Sequence, residues 1–223
     1  MDWLANNRMH KEQAMAETVP LKPEHVIQIT HVAQETLRPA VERDWSVKAG
    51  RLGWDCRQTL DHMVGAPLFH GTNLAMRSTR RLPNPRAGNP NASIGELLDT
   101  LEYTATLLAR LACEAAPEAR GFTNGGMADA QGFLATSSNE ILLHTHDITE
   151  GLGLRFQPPA ELAELVLHRL YPWAPRDVEP WAAMLWVSCR GSLPGRPDMA
   201  ANWVGHAAPL SEWDGQTIPM RGA

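Results

Sequence analysis

Apolar residues recur about once per helical turn through most of this chain. Val26, Ile29, Val32, Ala33, Leu37 and Val41 form the first such run, the pattern of a helix that buries one face. Pro23 suits its first turn, and Pro39 kinks or ends it. A loop through Asp44, Trp45, Ser46, Gly50 and Gly53 follows. A second helix is predicted from about 55 to 76, with Leu60, Met63, Val64, Leu68 and Leu74 on its apolar side and a bend at Pro67 and Gly71. The stretch 81–91 is dense in Pro, Asn, Gly and Arg and reads as a loop. Ser93 and Glu96 then have the spacing of a capping box. The third helix runs from there to about 114 on Leu97, Leu98, Leu101, Leu107, Leu108 and Leu111.

Residues 117–126 read as another loop. A fourth helix is predicted over 130–150, stopped by Gly151-Leu152-Gly153. Pro158 and Pro159 open a fifth helix through Leu170, and Pro180 starts a sixth that holds Trp181, Leu185, Trp186 and Val187. After Gly191 the pattern loosens. Trp203, Val204, His206, Ala208, Leu210 and Trp213 roughly alternate, which fits a short hairpin or an extended wrap. The expected organisation is an N-terminal arm over 1–22, an all-α body over 23–190 and an extended tail over 191–223.

Composition narrows the function. A chain of 223 residues can bury a sizeable core without staples, so a metal here is expected to serve function rather than folding. The net charge of -5 leaves no basic footprint for nucleic acid, and the arginines between 77 and 86 sit among loop residues. Cys56, Cys113 and Cys189 are far apart, with no CxxC pair, which points to reduced thiols in a cytoplasmic protein. The start, Met1-Asp2-Trp3-Leu4, has no signal-peptide pattern, and no stretch has the apolar length of a membrane span.

The chemistry concentrates in Asn139-Glu140-Ile141-Leu142-Leu143-His144-Thr145-His146-Asp147. On a helix Glu140 and His144 lie one turn apart and point the same way, so their tips can share one metal ion. His62, amid apolar residues in the second helix, is the candidate third ligand if the second and fourth helices face each other. Two histidines and a carboxylate suit zinc, nickel, iron or manganese and leave a position open. From periodicity alone the plainer reading is favoured: a helix-surface pair and a core histidine with a satisfied hydrogen bond. His146 points about 200° from His144 and cannot join Glu140. Asp147 either orients a ligand histidine or is a plain carboxylate at a helix end. His70 is too far along its helix to share a metal with His62. Cys56, in a first helical turn, is expected to be packing, although that position can lower a thiol pKa. Gly121 to Gly126 lacks the Lys-Ser/Thr ending of a phosphate loop, and Trp173, Trp181 and Trp186 read as core.

Three stretches carry a family resemblance. They are Gly53-Trp54-Asp55-Cys56-Arg57 running into Leu60-Asp61-His62, Glu140 to Asp147 followed by Gly151-Leu152-Gly153, and Leu210-Ser211-Glu212-Trp213-Asp214-Gly215. Together they resemble the DinB-like metal-binding superfamily over roughly 23 to 215. The likeness is greatest to the metal-binding N-terminal domain of mycothiol-dependent maleylpyruvate isomerase and its actinobacterial relatives. The resemblance implies a four-helix up-down-down-up bundle, here with extra helices and a short extended tail. It also implies one divalent metal, usually zinc with nickel the other candidate, on His62, Glu140 and His144. This outweighs the plainer reading of those residues. The implied activity is a thiol-dependent S-transfer or isomerisation of a small electrophile, with mycothiol or another small thiol as cosubstrate. The isomerase has a further C-terminal domain where this chain has a short tail, so a related activity is expected rather than the isomerase reaction itself. Bundles of this kind often pair, so a homodimer is an open expectation. The other readings are a metallohydrolase using activated water and a non-enzymatic metal- or ligand-binding protein.

Overall fold

The computed structural model describes residues 18–83, 89–199 and 204–215. Six helices dominate it: α1 (Pro23–Leu37), α2 (Cys56–Ala75), α3 (Ile94–Glu114), α4 (Ala130–Gly151), α5 (Ala160–Leu170) and α6 (Pro180–Val187). Most of the expected arm lies outside the described residues, as does Trp203 of the tail.

Local chemistry sets the helix ends. The Asp55 side chain accepts from the backbone N–H of Gln58, whose own side chain accepts from Asp55 N–H, which closes a capping box on α2. Ser93 and Glu96 do the same for α3, as their spacing predicts. Asp129 caps α4 through Gly132 N–H. A 3-10 helix at Arg38–Ala40 ends the first run at Pro39, whereas α2 continues through Pro67 and Gly71 as one helix.

The four long helices share one apolar core. Arg57, at the start of α2, donates to the carbonyls of Asn89 and Ala92, just before α3 begins. Near its far end, Gly71 lies against Leu108 and Leu111. The two helices therefore run parallel, with a long crossover between them. Gln34, late in α1, and Arg38, just after it, reach Leu98 and Asp99, early in α3, so α1 opposes α3. Cys56 meets Ile148, and His70 meets Ser137, so α2 opposes α4.

One expectation needs correction, and of the two forms expected for the tail one is found. The stretch 117–126 is not merely a loop. Strands β1 (Gly121–Thr123) and β2 (Gly126–Ala128) form an antiparallel hairpin, with Thr123 opposite Gly126. The tail forms no strand among the described residues. It runs as an extended wrap into a 3-10 helix at Leu210–Glu212. Its backbone pairs with the hairpin through Ala207 N–H to the Gly125 carbonyl, and with α5 through His206 N–H to the Leu170 carbonyl. Glycine is needed at Gly132 because a Cβ there would overlap the Ala207 carbonyl. Buried Arg169 fixes the wrap by donating to the carbonyls of His206 and Ala207 and to Asp129 Oδ1 at 2.6 Å. No described helix is long and apolar enough to cross a membrane.

Candidate metal centre

α2 and α4 bring His62, Glu140 and His144 together. Nε2 of His62 and Nε2 of His144 each lie 3.0 Å from the same oxygen, Glu140 Oε2. The rings stand edge to face at 5.0 Å between centroids. The three ligand atoms are all within 4.8 Å of one another, the only such group of His, Cys, Asp or Glu among the described residues. Two imidazole nitrogens and a carboxylate converging on one point fit a divalent ion, and they are the residues expected from the sequence.

The surroundings fix the donors. His144 Nδ1 lies 3.0 Å from Asp147 Oδ2. Arg190 grips both Asp147 oxygens, with Nε on Oδ1 at 2.8 Å and Nη2 on Oδ2 at 2.6 Å. With a metal ion bound, this arrangement would keep the proton of a neutral His144 on Nδ1 and leave its Nε2 lone pair for the ion. Burial opposes charge on His144, but the bonds to Asp147 and Glu140 outweigh it and raise its pKa to about 9. Burial likewise pushes the Glu140 carboxyl up, while the two histidines more than offset that and hold it well below the usual carboxylate range. Trp54, from the loop before α2, covers one side, with its ring 5.0 Å from that of His62.

The other singled-out residues separate cleanly. His146 faces away, against Glu150 and Trp181. His70 bonds Ser137 Oγ through Nδ1 at 2.6 Å. Trp181 and Trp186 are core. The lowered thiol pKa open to Cys56 is overturned: the side chain is fully buried against the Ile148 carbonyl, and desolvation, with Asp55 adding to it, pushes the thiol up to about 11. The His62 and Glu140 side chains are 34% and 30% exposed and face a cleft of about 1520 Å³.

Sequence reading missed much of that cleft. Arg190 follows α6 and carries no periodic signal. Its reach to Asp147 depends on the turn at Cys189, which adopts a left-handed φ of 59°. Thr123, Asn124 and Gly125 line the cleft from the hairpin. The Asn-Gly pair between two short runs is a recognised hairpin signal that would have found them. Comparison with family models, curated proteins and solved structures finds no match to this chain.

Proposed function

We propose that this chain is a metal-dependent enzyme of the DinB-like class. Its reaction is a thiol-dependent S-transfer or isomerisation of a small electrophile, with mycothiol or another small thiol as cosubstrate. The observation that carries this reading is the convergence of two imidazole Nε2 atoms on one Glu140 oxygen in the wall of an open cleft. The helix directions support an up-down-down-up bundle: α1 opposes α3, α3 parallels α2, and α2 opposes α4. The cleft exceeds the roughly 300–1,000 Å³ of a typical single-ligand pocket, so it has room for thiol and electrophile together.

In this reading His62, Glu140 and His144 hold one divalent ion, zinc before nickel. Such an ion supplies Lewis acidity that eases loss of a proton from a coordinating thiol or water near neutral pH. The chain itself orients His144 through Asp147 and Arg190 and shields one side with Trp54. Cys56 is dispensable, because the attacking sulfur belongs to the cosubstrate. The exposure of His62 and Glu140 also lets water reach the centre, and this favours hydrolysis as the second reading. Thiol titration into the cobalt-substituted chain is expected to give a sulfur-to-metal charge-transfer band, and electrophiles are expected to turn over only with thiol present. No band and no thiol-dependent turnover would leave hydrolysis or a binding role.

A further inference from the structure

The far end of the cleft has its own chemistry. Phe69 lies seven residues after His62 on α2, which puts both on one helix face about 10 Å apart along the axis. The Arg81 guanidinium carbon lies over the Phe69 ring, 5.3 Å from its centroid, and its Nη1 donates to Asn124 Oδ1 of the hairpin at 3.4 Å. Arg81 has no carboxylate partner among the described residues. The other arginine lining the cleft, Arg190, is committed to Asp147.

The acidic groups of the cleft wall are either occupied or distant from Arg81. Asp99 pairs with Arg38, and Glu96 caps Ser93 at the start of α3. Asp61 is beside His62, two helical turns from Phe69. His70 adds a neutral group to the far end. It lies in the cleft wall, buried, with its Nδ1 taken by Ser137.

We propose that Arg81, held over Phe69, anchors a carboxylate at the non-reacting end of the molecule bound in this cleft. The ligand class is a small elongated acid long enough to reach from Arg81 to the candidate centre, with Phe69 and His62 about 10 Å apart along α2. The ring and Asn124 hold the guanidinium, and its remaining N–H groups are left for the carboxylate oxygens. The carboxylate belongs either to the thiol cosubstrate or to the electrophile, and this assignment of roles rests on the reaction proposed above. The anchor itself does not.

The test compares acids with their amides. Octanoate and octanamide are titrated calorimetrically into the zinc-loaded chain, and mercaptooctanoic acid and its amide into the cobalt-loaded chain. The acid is expected to bind about tenfold more tightly than its amide in at least one pair. Arg81→Met is expected to erase that preference, and Arg81→Lys to keep part of it. Circular dichroism checks that these surface variants fold. A preference confined to the thiol pair places the carboxylate on the cosubstrate, and one shown by the thiol-free pair places it on the electrophile. Equal binding of acid and amide in both pairs overturns the anchor. So does a preference that survives Arg81→Met, since it would then come from the metal or elsewhere in the cleft. An acid preference without any charge-transfer band sinks the thiol reading alone.

Discussion

Arg190 touches none of the three candidate ligands, yet it decides how one of them is presented. It holds Asp147 with two hydrogen bonds, and Asp147 holds His144 Nδ1. Arg190→Met leaves Asp147 free to turn, so metal affinity is expected to fall roughly 10–100-fold while the fold persists. Competition with a chromophoric chelator measures this, and an unchanged affinity would remove Arg190 from the site. His70 makes a different statement. Burial lowers its pKa from 6.5 to about 4, so it is neutral in the fold and protonates first in the unfolded chain. The fold therefore loses stability as pH falls from about 6.5 to about 4, on the order of 3 kcal/mol from this group. Urea unfolding of His70→Gln across that window is expected to show a flatter slope than the parent chain. Parallel slopes would mean that His70 protonates equally in both states.

At the scale of elements, the long amphipathic helices were the most legible part of the chain. Leu97, Leu98, Leu101 and Leu108 predict the buried face of α3, and Ser93 with Glu96 predicts its start. Glu140 and His144 stand one turn apart on α4, but periodicity alone favours a plain surface pair there and a core histidine at His62, and it is the family resemblance that singles out the three. What hid was whatever depends on contacts between distant segments. Arg190 looks like a surface residue after a helix until Asp147 is brought beside it. The tail's path is set by Arg169, whose charge within an apolar run gives no sign of three partners. Arg169→Met would remove the cation paired with Asp129 and the donor to two carbonyls. Losing this buried pair is expected to cost about 3–5 kcal/mol in urea unfolding and to release the wrap from the hairpin. A loss below about 0.5 kcal/mol, the scale of an ordinary surface substitution, would show that the wrap docks without it.

At the scale of the molecule, the apolar core joins all six helices and does not depend on the candidate centre. Removing metal with a chelator is expected to lower the melting temperature only by the binding contribution, with helical circular dichroism retained at room temperature. Collapse of the helical signal would make the metal structural instead. The proposed function requires that His62, Glu140 and His144 together hold a divalent ion. Elemental analysis of the purified chain beside His62→Ala, His144→Ala and His146→Ala tests it most directly. The account predicts about one ion per chain in the parent and in His146→Ala, and almost none in the other two, because three protein ligands leave little affinity once one is lost. Equal metal content in all four proteins, or loss in His146→Ala alone, would contradict it.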